Sequence, residues 1–226
     1  MSSIAFVLGN GESRRGIEIN ELMNKGTVFA CNGVYRTHRP NFLIAVDPKM
    51  ILEIAETDYV IHNKVYSNYN AQYAKHQKIL DHVNWFKPSL GWSSGPTALR
   101  MACDHGFKEI YILGFDYQGH KADGKNQGYR FNNIFKDTRN YKKSNEQATF
   151  HGNWLNQTKR CVNDFADVRF HRVIPKGWFH AVSTTRGPSL SVNVFGARRS
   201  ERLRAWVCGA LGAEVLARSY AAATAF

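Results

Sequence analysis

The sequence is poor in the features that mark several large classes of protein. It has only 4 cysteines and 6 prolines among 226 residues, and the cysteines show neither CxxC nor Cys/His metal-ligand spacing. Its apolar runs are far shorter than the roughly 18 residues that suggest a membrane-spanning helix. No basic segment precedes a hydrophobic one near the N-terminus, as in a secretory signal. We therefore expect a globular cytoplasmic protein with reduced cysteines.

The sequence has fewer acidic than basic residues. It contains 18 Asp and Glu residues and 30 Lys and Arg residues, which gives a formal net charge of +12. The basic residues form no tract and no recognisable nucleic-acid motif, so we expect no specific nucleic-acid partner. A positive surface around a site for an anionic nucleotide is the simpler interpretation, while a non-catalytic nucleotide- or nucleic-acid-binding module remains an alternative.

The first strand and its turn organise the chain. Ile4–Leu8 is an apolar run that breaks on Gly9-Asn10-Gly11, followed by Ser13. Such a run is typical of a strand buried on both faces of a parallel sheet. Ligands of open α/β sheets, phosphates in particular, bind where such strands end and helices begin. The turn is neither GxGxxG nor a P-loop, so a plain β-turn remains the alternative.

The same pattern of a strand followed by a polar glycine turn recurs along the chain. Strands are predicted over 27–31, 41–46, 58–61, 109–113 and 168–174, and helices over 16–25, 49–56, 97–105 and from 149 onwards. Their polar ends are Asn32-Gly33, Asp47, the loop with Asn68, Ser93-Ser94-Gly95 before a helix, and Asp116-Tyr117. This alternation predicts a Rossmann-like, doubly wound α/β fold with a mainly parallel sheet.

Two segments differ from that alternation. Residues 118–146 are polar, basic and aromatic with little periodicity, which favours a lid over the site. Residues 177–226 are rich in Ala and Arg and lack Lys and Asp after Gly177. We interpret 1–176 as the nucleotide-sugar-binding and catalytic domain, and 177–226 either as a segment foreign to the fold or as a basic helix that touches a membrane or a partner.

Six short motifs occur in the order seen in one enzyme family. They are Gly9–Ser13, Cys31–Gly33, Ser67–Asn70, Ser93–Gly95, Gly106–Tyr117 and Phe150–Gly152. In this order the chain resembles the bacterial sialyltransferases of glycosyltransferase family 42. The resemblance spans residues 4 to about 175 and implies a GT-A-like sialyltransferase fold with a lid, acting on a CMP-sialic acid donor without a metal or other cofactor.

The resemblance also implies roles for single residues. Asn10, Asn32 and Asn68 would contact the donor, with Ser93, Ser94 and Gly95 at the nucleotide. Tyr117, or a residue beside it, and the lid residue Tyr129 would meet the donor phosphate, as electrostatic stabilisation of the leaving group requires. His151 would be the general base that takes the proton of a glycan hydroxyl. The implied partners are a nucleotide-sugar donor and a glycan acceptor, while oligomerisation and peripheral membrane contact stay open.

The chain departs from the family pattern in two places. Leu90-Gly91-Trp92 lacks the arginine that precedes the family's Ser-Gly turn. Asp47-Pro48 is instead similar to hydroxymethylpterin-diphosphokinase-like and motility-accessory-factor-like proteins. An Mg²⁺-dependent diphosphokinase-like enzyme, with Asp47 and Asp116 as metal ligands, is therefore the alternative.

Overall fold

Apolar runs form the strands of one parallel sheet. The computed structural model describes residues 4–117, 119–121, 129–148, 151–175 and 190–195. In chain order the strands are β1 (Ile4–Leu8), β2 (Thr27–Cys31), β3 (Phe42–Ile44), β4 (Val65–Ser67), β5 (Val83–Trp85), β6 (Glu109–Leu113), β7 (His120–Lys121), β8 (Tyr129–Arg130), β9 (Arg169–Pro175) and β10 (Leu190–Phe195). Eight of them form the sheet in the order β10-β9-β6-β1-β2-β3-β4-β5, while β7 and β8 pair antiparallel with each other.

Helices cover both faces of this sheet. They are α1 (Ile19–Met23), α2 (Pro48–Ala55), α3 (Tyr59–His62), α4 (Gln77–His82), α5 (Ser94–Asp104) and α6 (His151–Asp164), with short 3₁₀ helices at Glu12–Arg14, Asn32–Arg36 and Ala71–Lys75. Along β1, Phe6 and Leu8 face the core under α1 and α2, whereas Ala5 and Val7 face the core under α5 and α6. This alternation confirms the predicted Rossmann-like, doubly wound α/β class.

One predicted strand is wrong. The run at 58–61 belongs mainly to helix α3, and the fourth strand is Val65–Ser67. The Thr57 hydroxyl accepts a hydrogen bond from the Tyr59 backbone N–H at the start of this helix. A short apolar run is compatible with either structure, and here burial of Tyr59 and Val60 in the core selects the helix.

The strand order reverses direction at β1. The chain moves outward from β1 through β2, β3, β4 and β5 on one side, and continues from β6 to β9 and β10 on the other. A crevice at the carboxyl ends of the strands at such a switch point is the usual ligand position in open α/β sheets.

β10 lies beyond residue 176 and pairs with β9 in parallel register. Among the helices in the described ranges, none has the length and apolar character to cross a membrane.

Candidate functional site

A cavity of about 150 Å³ lies at the carboxyl ends of β1 and β6. Its walls come from the turns after these strands, the end of β2, the start of α5 and the lid. The lining residues are Gly9, Asn10, Gly11, Cys31, Asn32, Ser93, Ser94, Gly95, Pro96, Gly114, Phe115, Asp116, Tyr117, Gly119, Phe131, Asn132, Asn133, Ala148 and Trp154. The cavity therefore occupies the switch point of the sheet.

Most of the sequence-predicted site residues meet here. The lining includes Gly9, Asn10, Gly11, Asn32, Ser93, Ser94, Gly95, Asp116 and Tyr117. Ser13 and Gly33 lie behind it, where their backbone N–H groups donate to Asp116 and to the Tyr141 hydroxyl. Asn68 follows β4 at the same edge of the sheet, and Tyr129 is exposed in β8. His151 is the first residue of α6, and its side chain lies outside the described part of the chain.

Asn10 ties the first turn to its surroundings. Its amide oxygen accepts from the Arg14 guanidinium at 3.0 Å. Its amide nitrogen donates to the Cys31 carbonyl at 3.0 Å and to the Tyr141 hydroxyl at 3.1 Å. The amide therefore joins β1, β2 and the lid, and its polar atoms are largely engaged before any ligand arrives.

Asn32 presents its amide differently. Its backbone is left-handed, with φ of 48°, a conformation that Asn tolerates better than most residues. Its amide oxygen accepts from the Ser94 hydroxyl at 2.9 Å, and that hydroxyl in turn accepts from the Val46 N–H at 3.1 Å. Among the described residues its amide nitrogen has no hydrogen-bond partner. These two donor hydrogens are therefore available to a ligand in the cavity.

The start of α5 supplies backbone donors. The Ser93 N–H donates to the Gln157 side chain at 3.0 Å. The next N–H groups, of Ser94 and Gly95, belong to the first turn of an 11-residue helix, where no intrahelical acceptor exists. The helix dipole adds a partial positive charge at the same end. This side of the cavity favours an anion such as a phosphate group.

Two buried arginines lie behind the two turns. Arg14 is 6% exposed and donates to the Gly9 carbonyl at 2.6 Å. Arg172 is 2% exposed and donates to the Phe115 carbonyl at 2.8 Å. Burial lowers the pKa of Arg14 to about 10, so it still carries its charge at neutral pH. Burial also lowers the pKa of Arg172, against the opposing influence of Tyr117 and Asp116.

Asp116 is the carboxylate that faces these two cations. It is 4% exposed and accepts from the Ser13 N–H at 3.0 Å, from the Ser13 hydroxyl and from the Asn132 amide at 2.8 Å. Together these two guanidinium groups and one carboxylate carry an excess of one positive charge. An excess charge in a desolvated site attracts a counter-ion more strongly than the same charge in water.

The lid packs against the turns. Phe131 and Phe135 are buried, and the Ile134 N–H donates to the Asn10 carbonyl at 2.8 Å. The Tyr141 hydroxyl accepts from the Gly33 N–H at 2.8 Å as well as from Asn10. Burial, as the main cause, raises the pKa of Tyr141 well above its usual range, so the hydroxyl stays protonated. This segment is therefore a wall of the site with a fixed hydrogen-bond pattern.

Tyr117 is held in an unusual conformation. Its φ is 51°, a left-handed value that is rare for an aromatic residue and typical of strain at functional sites. Its ring packs against Phe115 and below the Arg172 guanidinium, 4.8 Å from the ring centre. Burial raises its pKa, so the phenol is a donor at neutral pH. The residue lines the cavity while most of its surface is buried.

Sequence reasoning missed several residues that build this site. Arg14, Tyr141 and Asn132 lie in a 3₁₀ helix or in the lid, where no hydrophobic period indicates orientation. Arg172 lies within a strand and reads as one of many surface cations. The position of Arg14 just after the Gly-Asn-Gly turn could have indicated its role, because a short turn brings such a side chain back to the backbone carbonyls of the turn.

The described residues contain no cluster of three or more His, Cys, Asp or Glu side chains that could hold a metal ion. Asp47 is exposed and caps α2 by accepting from the Lys49 N–H at 3.0 Å.

No protein-family model, curated protein or solved structure matches this chain.

Proposed function

We propose that the protein is a metal-independent glycosyltransferase that moves a sugar, a sialic acid in the first instance, from a CMP-activated donor to a glycan hydroxyl. The observation that carries the proposal is the anion-binding character of the cavity at the switch point. The start of α5, the Asn32 amide and the buried excess of positive charge all favour a phosphate group there. CMP carries a single phosphate, which this end of the cavity would hold.

The reaction divides into two events at the anomeric carbon. The acceptor oxygen, as its proton passes to a base, forms a bond to that carbon, and the bond from the carbon to the phosphate oxygen breaks. The electron pair leaves with CMP, so negative charge grows on the phosphate. The N–H groups at the start of α5 and the Asn32 amide would stabilise the leaving group in place of a metal ion, and the resemblance adds the phenol of Tyr117, which hydrogen-bonds with Thr158 in this structure.

His151 is the proposed base, on the strength of the Phe150-His151-Gly152 resemblance. Residue 151 begins α6, three residues before the cavity residue Trp154. Imidazole titrates near neutral pH and contributes typically about 10²–10⁴-fold as a general base. Tyr129, the other tyrosine implied by the resemblance, is 42% exposed in β8 and is not among the residues that line the cavity.

The Mg²⁺-dependent alternative finds less support in the contacts. The Asp116 carboxylate already accepts three hydrogen bonds and faces two guanidinium groups. A metal ion there would have to displace these donors and overcome like charge. Asp47 is engaged as a helix cap.

The test is a binding and turnover panel. CMP, CMP-sialic acid, UDP-sugars, ATP and GTP are each tested with Mg²⁺ and with EDTA, on wild type, His151→Ala and Asp116→Asn. We expect CMP to raise the melting temperature in EDTA, and CMP-sialic acid to be hydrolysed by wild type but about 10²-fold or more slowly by His151→Ala. CMP binding by His151→Ala should stay intact, which separates loss of chemistry from loss of fold.

Each other outcome points elsewhere. Stabilisation by ATP that needs Mg²⁺ would favour the diphosphokinase alternative. CMP binding without hydrolysis or transfer would leave a nucleotide-binding module. A steeply salt-dependent affinity for oligonucleotides would move the function to nucleic acid.

A further inference from the structure

A stack of aromatic rings stands at the carboxyl ends of β4 and β5, outside the cavity. Trp85, the last residue of β5, packs on the fully buried Tyr73 with ring centroids 5.9 Å apart. Tyr69 lies against the same indole at 5.6 Å, edge to face, and is 59% exposed. The outermost ring, that of Tyr69, is therefore held by a fixed neighbour while much of its surface faces solvent. A ligand that contacts this ring would lose little free energy to immobilising the side chain.

Two asparagines flank this exposed ring in the chain. Asn68 precedes it, and the Asn68 amide oxygen is buried and has no hydrogen-bond partner among the described residues. Asn70 follows it and accepts from the Gln72 backbone and side-chain nitrogens, both at 3.0 Å. Among the described residues the amide nitrogens of Asn68 and Asn70 have no hydrogen-bond partner, so both can donate to a ligand hydroxyl.

The stack shares an edge of the sheet with the cavity. All eight strands are parallel, so the residues after β4 and at the end of β5 lie on the side where the turns of β1 and β6 lie. Neighbouring strands are about 4.8 Å apart, which places β4 and β5 roughly 10–15 Å along the edge from β2. From Trp85 the chain runs on to Trp92 and then to Ser93 in the cavity wall. A short oligosaccharide could extend from the cavity to this stack.

We propose that Tyr69, Trp85 and Asn68 form a saccharide subsite that holds the acceptor glycan at a distance from the reacting hydroxyl. One face of a sugar ring presents C–H groups, which pack on the negative face of an aromatic ring, while its hydroxyls bond to flanking amides. An exposed aromatic ring between amides has this chemistry, whereas a protein interface would need a broader apolar surface. The inference rests on the proposed function, because the cavity must hold the donor.

The experiment measures glycan binding and donor chemistry separately. Binding of lactose, maltotriose and cellotriose is followed by saturation-transfer NMR without donor, on wild type, Tyr69→Ala and Tyr69→Phe. Ile61→Ala, which removes another exposed apolar side chain (43% exposed) from α3, is the matched control. Hydrolysis of CMP-sialic acid without acceptor is measured on the same four proteins.

We expect at least one oligosaccharide to bind wild type, and Tyr69→Ala to weaken it about tenfold. Tyr69→Phe keeps the ring and should bind within about twofold of wild type, as should Ile61→Ala. Donor hydrolysis should be equal in all four. If wild type hydrolyses the donor but binds no oligosaccharide, or if Tyr69→Ala binds as well as wild type, the subsite is refuted while the proposed function stands.

Two further outcomes also decide the matter. Glycan binding that depends on Tyr69, without any donor hydrolysis, would support the subsite and refute the proposed transfer. If sedimentation shows that wild type is a dimer and Tyr69→Ala a monomer, the stack is an interface between two copies, and the subsite is overturned.

Discussion

Replacing Tyr141 by Phe removes one oxygen atom from the centre of the candidate site. The hydroxyl accepts from the Gly33 N–H at 2.8 Å and from the Asn10 amide at 3.1 Å. The ring would keep its packing against Phe135 and its contact with the Arg36 guanidinium, 5.4 Å from the ring centre. The substitution therefore tests the hydrogen bonds between the lid and the turns rather than the lid's apolar packing.

The expected loss follows from the two donors. Asn10 still donates to the Cys31 carbonyl, so its amide nitrogen keeps one partner. Gly33 is buried, and its N–H has no other partner among the described residues. Leaving one buried donor unsatisfied costs about 1–3 kcal/mol, which is about a 5- to 150-fold change in the folding equilibrium. With a denaturant slope of about 2 kcal/mol/M, the urea midpoint should fall by about 0.5–1.5 M.

Urea unfolding of wild type, Tyr141→Phe and Tyr129→Phe provides the measurement. Tyr129 is 42% exposed, so removing its hydroxyl should change stability by less than about 0.5 kcal/mol. Hydrogen exchange should also show faster exchange in residues 129–148 of Tyr141→Phe, because the lid loses its bonds to both turns. A stability equal to that of wild type, with unchanged exchange, would refute the role given to this hydroxyl.

Two further predictions concern packing and pH. A Cβ at Gly11 would lie 2.6 Å from the Gly114 carbonyl oxygen and would press on the Asp116 carboxylate. Gly11→Ala should therefore lower the free energy of unfolding by about 1–3 kcal/mol and weaken CMP binding. A melting curve equal to that of wild type would contradict this prediction. Burial, outweighing the opposing effect of Glu109, lowers the pKa of His171 below its ordinary 6.5. The folded state therefore favours the neutral ring, and the stability that this gives above pH 6.5 is lost on acidification. The melting temperature should fall as the pH drops below 6.5, and it should fall less steeply in His171→Gln. Equal pH dependence of the melting temperature in the two proteins would argue against the assignment.

Several elements could be predicted from local sequence alone. The strands Thr27–Cys31 and Glu109–Leu113 have the predicted bounds, because runs of β-branched, aromatic and aliphatic residues between glycines have few alternatives. The helix α5 starts at Ser94, three residues before the predicted start, since Pro96 suits the first turn. The prediction of a strand at 58–61 was wrong because four residues are too few for the hydrophobic pattern to distinguish a strand from a helix.

The site was predictable to the extent that it lies next to strands. Polar residues directly after a parallel strand must lie at its carboxyl edge, so Asn10, Asn32 and Asp116 could be placed before the structure was known. Their partners could not. Arg14 and Arg172 are buried cations, which composition alone would assign to the surface.

The sequence by itself determined the class of the fold and the edge of the sheet where polar turns gather, because short apolar runs and glycine turns act locally. Only the tertiary structure decided which of these polar groups remain available to a ligand. It engages the Asn10 amide with Arg14, Cys31 and Tyr141, whereas among the described residues the amide nitrogen of the cavity residue Asn32 has no partner. The physical reason is that hydrogen bonds between residues more than a hundred positions apart, such as Gly33 to Tyr141, depend on how the strands and the lid pack together.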